Sequence, residues 1–245
     1  MGKHKILIIF LLGMMLLSCT KIKPRLRVGL NADYPPFEYK TDQVLTGIDV
    51  ELSKKIGELL GYNIEFVEME FDELIPALIN KRIDLAISAI TINKQRQQIV
   101  DFSIPYFCAD QALIANEDNR FRIEDLSDIA DCRIGVQNGT TGQYFLQYNL
   151  VAKGMLSWEN LTAYENNNQA ITELMNNQID LLIMDDSAAK TFCKIKPVKI
   201  VHIIKTDEQY GIAMRKDFSL KNEINTALQQ ILNSDYWITL ITKYM

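Results

Sequence analysis

The chain is 245 residues long, 48% hydrophobic and 23% charged, the proportions of a folded protein of one or two domains rather than of a disordered chain. Its formal charge of −5 argues against a surface that tracks nucleic-acid phosphates, so no nucleic-acid partner is expected. Four cysteines with no CxxC, and no histidine near them at ligand spacing, give no zinc site, and no metal or cofactor is expected.

Residues 1–18 have the layout of an export signal. Lys3, His4 and Lys5 form a basic head, and the apolar run from Ile6 to Leu17 is twelve residues, too short to cross a bilayer as a helix. It ends in Leu16-Leu17-Ser18-Cys19, which resembles the bacterial lipobox. On that reading Cys19 is lipidated and becomes the first mature residue, residues 19–24 are a tether, and acyl chains hold the protein to a membrane. An exported chain can carry a disulfide; among the remaining cysteines Cys132 with Cys193 is the pairing to expect, with buried free thiols as the alternative.

From Leu26 onward short β-branched runs alternate with amphipathic windows, which predicts an α/β fold with crossover helices. Leu26 to Leu30 reads as a strand, and Ile48 to Leu60 as a helix with Ile48, Leu52, Ile56 and Leu59 on one face and Gly61 at its end. Ile64 to Met69 is a strand, Asp72 to Asn80 a helix with an acidic cap, and Ile83 to Ile87 a third strand. Further on, Cys132 to Val136, Leu181 to Met184, Val198 to Ile204 and Gly211 to Arg215 read as strands. Leu220 to Leu232 and Tyr236 to Tyr244 read as helices.

Two segments echo one another. "LINKRIDLAI" from Leu78 and "LMNNQIDLLI" from Leu174 share L-x-N-x-x-I-D-L-x-I, and "RVGLN" from Arg27 matches "RIGVQ" from Arg133. Each pair gives an opening strand and a later helix-turn-strand in the same order, which predicts two similar lobes. The closing helices then need a surface to cover. If they return to the first lobe, the chain crosses between lobes twice and makes a hinge.

Ligands of open α/β sheets bind beyond the carboxyl ends of the strands. The strand exits hold Asn31 and Tyr34; Phe71; Ala89, Thr91 and Arg96; Gln137, Thr140 and Thr141; and Asp185. Alone, Arg96 on a short exposed helix reads as a solvated charge, Gly139-Thr140-Thr141 as a helix cap, and Tyr34 or Phe71 as core. Together they are complementary to one kind of molecule. Arg96 offers a planar fork for a carboxylate, with Thr91 as the expected cap of its helix and the Gly139-Thr140-Thr141 turn as further donors. Asp185 and the Ala89 carbonyl can accept from an ammonium, and Tyr34 and Phe71 can hold a side chain between them. A free α-amino acid has those three parts.

"YPPFEY", "GIDVELSKKIGELLG", "FDELIPALINKRIDLAISAITINKQRQQIVDFSIPYF", "RIGVQNGTTG", "IDLLIMDD" and "QYGIAMRK" together resemble the bacterial extracellular solute-binding proteins of family 3, in order from Arg25 to Tyr244. The resemblance implies a periplasmic binding protein type II fold, a Venus flytrap of two lobes joined by a two-strand hinge. Lobe 1 would be 25–107 and 209–245, lobe 2 108–208, with hinges near Tyr106 to Asp110 and Asp207 to Tyr210. It implies a monomer that binds a polar or basic L-amino acid and presents it to an ABC permease. Arg96, Thr91 and Thr141 would hold the α-carboxylate, Asp185 and Ala89 the α-ammonium, Tyr34 and Phe71 the walls. Asn31, Gln137 and Thr140 would tune the side chain. Asn31 stands where many such receptors carry aspartate, and Ala89 where glycine or serine is usual; Asn31, Phe71 and Gln137 lean the specificity towards arginine, ahead of glutamine, lysine or histidine. The same fold also hosts a cyclohexadienyl dehydratase, the enzymatic alternative.

Overall fold

The computed structural model describes residues 23–120 and 122–245; the predicted signal segment and Cys19 lie outside them. The first part of the chain runs β1 (Arg25–Leu30), β2 (Asp33–Tyr34), β3 (Glu38–Thr41), β4 (Val44–Thr46), α1 (Ile48–Leu60), β5 (Asn63–Glu68), α2 (Leu74–Ile79), β6 (Leu85–Ala86), α3 (Lys94–Ile99) and β7 (Val100–Phe102). It continues through β8 (Phe107–Asn116), β9 (Ile134–Gln137), α4 (Thr141–Phe145), β10 (Leu161–Tyr164), α5 (Asn167–Met175), β11 (Leu181–Asp185), α6 (Asp186–Ile195) and β12 (Val198–Tyr210). It closes with β13 (Ala213–Arg215), α7 (Lys221–Leu232) and α8 (Asp235–Tyr244).

Two five-stranded mixed sheets result, ordered β5-β1-β6-β13-β7 and β10-β9-β11-β8-β12. In each, the first three strands are parallel and the last two pairings antiparallel. The sequence echo falls on equivalent strands and has a physical cause. Arg27 on β1 donates from its main-chain N–H and its guanidinium to Asp84, and Arg133 before β9 does the same to Asp180. The repeated arginine and the aspartate of the repeated "IDL" are therefore one ion pair used twice, tying the first strand of each sheet to the turn before its third.

Apolar side chains cover both faces of both sheets. α1 packs Ile48, Val50, Leu52 and Ile56 inward and stops at Gly61, whose φ of 75° lets its N–H turn back onto the Glu58 and Gly57 carbonyls. α7 and α8 lay Ile224, Leu228, Ile231 and Leu240 against the same core, so the chain does return to its first sheet at the end. Gly47, at φ 121°, has no room for a side chain: a Cβ would come within 2.1 Å of the Phe37 carbonyl oxygen. Gly47→Ala is expected to cost about 3 kcal/mol, the scale of a main-chain clash combined with a forbidden φ, read from the shift of a urea unfolding midpoint.

Several elements differ from expectation. The helix predicted from Asp72 begins as a 3-10 turn over Phe71–Glu73 with no side-chain cap, because Pro76 is tolerated only in a first turn and so fixes the start of α2 at Leu74. The third strand shortens to Leu85–Ala86, matching the short partner β13. β12 runs on to Tyr210 through a bulge between Ile204 and Glu208, where the Asp110 carboxylate accepts from the N–H groups of Thr206 and Asp207. Cys132 and Cys193 form no disulfide. Cys132 is buried with Leu113 and Ile134 on one face of the second sheet, Cys193 packs with Ala112 and Leu182 on the other, and both, with Cys108, are free thiols.

Candidate functional site

The carboxyl ends of β1 and β6 face those of β9 and β11 across a cleft whose empty space, open solvent included, is about 450 Å³. Asn31, Tyr34, Phe71, Ala89, Thr91 and Arg96 line it from one side, and Gln137, Thr140, Thr141 and Asp185 from the other. All ten candidates therefore share one cavity.

Arg96 is 5% exposed. Asn93, not Thr91, caps its helix by accepting from the Arg96 N–H, which turns the guanidinium inward. There it donates to the Thr91 carbonyl at 2.8 Å and, across the cleft, to the Gly139 carbonyl at 3.0 Å, with its charge 5.5 Å from the centre of the Phe71 ring. Two of its five N–H groups donate to these carbonyls. Burial lowers its pKa, opposed by the charge of Glu208.

Asp185 lies opposite, at the end of β11. Gln111 and Tyr210 donate to its carboxylate, and its own N–H donates to the Tyr34 hydroxyl of the other lobe at 3.0 Å. Burial, then the neighbouring charge of Glu208, push its pKa up to about 7. Ala89 takes a φ of 46°, unusual for a residue with a Cβ. Its N–H donates at 2.8 Å to Asp49, which also accepts from Tyr106. Beside Asp49 lies Glu38, bonded to Ser88, whose hydroxyl in turn accepts from the Asn31 N–H. Burial raises both acids, Asp49 to about 6, so the pair is a buried floor that sets Ala89 and Asn31 in place.

At the far end of the cleft amides join the lobes. Gln137 donates to the Asn31 side-chain oxygen at 2.8 Å and accepts from Asn167, while Asp33 accepts from Asn167. Thr140 caps α4, accepting from the Gln143 N–H and donating to the Gln137 carbonyl. The hydroxyls of Thr91 and Thr141 both donate to Glu208 on β12.

A sequence profile of the bacterial extracellular solute-binding proteins, family 3, matches residues 26–245. The chain belongs to this family. Among the relatives of this family 3 protein are a probable histidine-binding protein of Campylobacter jejuni and the arginine-binding extracellular protein ArtP of Bacillus subtilis. The first is 32% identical over 89% of the chain and 84% of the relative, the second 33% identical over 85% and 81%. A solved ancestral arginine-binding protein bound to arginine superposes with a TM-score of 0.84 at 34% identity, covering 90% of this chain and 98% of that one. The two-lobed architecture is that of type II periplasmic binding proteins.

Sequence reasoning missed, among others, Gln111 and Asn167, which line the cavity, and Glu208 and Tyr210, which bond to its lining. Gln111, directly before the apolar run "ALIA", is 1% exposed in the fold. Glu208 and Tyr210 fall in the segment expected to be a hinge. The pairing of β8 with β12 brings Gln111, Glu208 and Tyr210 together, and the start of α5 supplies Asn167.

Proposed function

We propose that the chain binds a free polar or basic L-amino acid, arginine foremost, in the cleft between the lobes, and hands it to an ABC permease. One observation carries this reading: a buried cation and a buried acid, Arg96 and Asp185, stand on opposite sides of one cavity. The α-carboxylate goes to Arg96 and the α-ammonium to Asp185 and the Ala89 carbonyl. The side chain lies between Tyr34 and Phe71 towards Asn31, Gln137 and Thr140. Because each charge is contributed by a different lobe, a zwitterion bridges them and favours the closed arrangement.

We place lobe 1 at 25–107 and 209–245 and lobe 2 at 108–208. The paired segment of β8 and β12, where Phe107 faces Tyr210 and Cys108 faces Gln209, is the hinge. The protein acts as a monomer, outside the cytoplasm, tethered by acyl chains on Cys19. Among the described residues no helix is long and apolar enough to cross a membrane. A thermal-shift panel of the twenty amino acids, on protein refolded to remove bound ligand, is expected to raise the melting temperature with arginine most. No response to any amino acid would overturn the assignment. The dehydratase reading has one observation in its favour, a carboxyl group titrating near neutrality at Asp185, as a general acid must. Formation of phenylpyruvate from prephenate would establish it; an inert preparation that still binds amino acids would dismiss it.

A further inference from the structure

Beneath the cleft two acids lie side by side: Glu38 on β3, 1% exposed, and Asp49 in the first turn of α1, 0% exposed. The Phe37 carbonyl accepts from the Asp49 N–H at 2.9 Å, which brings the two elements together, and the acids hydrogen-bond one another. One oxygen of each has other partners. Glu38 Oε1 accepts from the Ser88 hydroxyl at 2.6 Å, and Asp49 Oδ2 accepts from the Ala89 N–H at 2.8 Å and the Tyr106 hydroxyl at 2.9 Å. The remaining two oxygens, Glu38 Oε2 and Asp49 Oδ1, are sealed from water and meet no N–H or hydroxyl donor.

An ionised carboxyl only accepts, so two of them cannot bond to each other, and side by side without water they repel. One proton between the two bare oxygens removes both faults. We propose that Glu38 and Asp49 share a single proton, carried on Glu38 Oε2 and donated to Asp49 Oδ1, which makes Glu38 a neutral positioning residue at neutral pH. The pair then holds one negative charge, met by the Ala89 N–H and the Tyr106 hydroxyl. Through it three segments are tied together: the exit of β1, by way of Ser88 and the Asn31 N–H; Ala89; and Tyr106, at the entrance to the hinge strand β8. Burial, then the charge of Asp49, hold the Glu38 pKa well above the usual carboxylate range, while burial pushes Asp49 to about 6, which puts the proton on Glu38. Asp33 and Tyr34 on β2, and Tyr106, also act on the pair, and none of them brings a positive charge that would offset a second negative one.

Amide substitutions test the proton. In Glu38→Gln the NH2 takes the place of the acid O–H and donates to Asp49, and the amide oxygen still accepts from Ser88, so the melting temperature is expected to stay within about 2 °C of the native chain. Its affinity for whichever of L-arginine, L-lysine, L-histidine and L-glutamine binds the native chain best is expected to stay within about threefold. Glu38→Leu, which offers no donor, is expected to melt about 6 °C lower and to bind about tenfold more weakly. In Glu38→Gln/Asp49→Asn both amide oxygens are already engaged, by Ser88 and by Ala89 and Tyr106, and NH2 faces NH2; this variant is expected to melt about 6 °C below Glu38→Gln. Two ionised carboxyls would give the reverse order, because each amide would relieve repulsion. Infrared spectra at pH 8 read the proton itself: the native chain and Asp185→Asn are expected to show the carbonyl stretch of a buried protonated carboxyl, and Glu38→Gln to lack it. Absence of that band from the native chain overturns the proposal, as does a double variant that melts above Glu38→Gln, or a Glu38→Gln as damaged as Glu38→Leu. The infrared and melting readouts need no ligand, so a native chain that binds no amino acid would overturn the amino-acid reading and leave this test intact.

Discussion

Replacing Arg96 with alanine is expected to weaken amino-acid binding by a hundredfold or more. The variant leaves a ligand carboxylate desolvated between lobes with no cation, and truncating one partner of a buried, hydrogen-bonded charge pair costs roughly 2–5 kcal/mol. Arg96 also joins the Thr91 carbonyl to the Gly139 carbonyl across the cleft, so the variant loses a bond between lobes that exists before any ligand arrives. Arg96→Lys separates the two contributions. It keeps the charge but gives up the planar fork that reaches both carbonyls, and is expected to fall between the native chain and Arg96→Ala. Titration calorimetry of the three proteins decides it, and equal affinities would remove Arg96 from the site.

The second large effect is on pH. With no ligand, the Asp185 carboxyl titrates at about 7, and it must ionise to pair with an ammonium. Above that pH the acid is ready. Below it, binding expels a proton, so affinity is expected to fall up to tenfold for each unit of acidification, with uptake of one proton by the buffer per ligand bound. Titrations at pH 5 to 8 in buffers of different ionisation enthalpy read both quantities. Asp185→Asn is expected to bind weakly at every pH and to show no slope over this range. A native chain whose affinity is flat from pH 5 to 8 would show that Asp185 does not receive the ammonium.

The division into two similar sheets was legible because Arg27 and Asp84 recur as Arg133 and Asp180, and an ion pair needs both members at fixed places in the chain. The ten candidate residues were legible for a related reason: strand exits in an α/β fold converge, and each candidate follows an apolar run, from one residue beyond it at Asn31 to nine beyond Ile87 at Arg96. What could not be read was which hydrogen bond each hydroxyl makes. Thr91 has the spacing of a helix cap, yet Asn93 takes that place, and the Thr91 hydroxyl turns to a glutamate 117 residues later. That pairing depends on how far β12 extends before the chain returns to the first sheet. The bulge held by Asp110 sets that extension, and bulges leave no period in a sequence. Cys132 and Cys193 failed as a pair because strand alternation sends their surroundings to opposite faces of one sheet.

The acids beneath the cleft have a consequence for how the protein is made. Asp49, at about 6, and Glu38, Asp185 and Asp33, all raised chiefly by burial, are harder to ionise in the folded chain than in the unfolded one. From about pH 4 to about pH 7 the native chain therefore holds protons that the unfolded chain has released, and the stability of the empty protein declines as pH rises through that window. Folding is in that range a proton-consuming reaction, drawing on the surrounding medium. A ligand that ionises Asp185 returns one of those protons, so acidity would favour maturation of the empty receptor and oppose its loading.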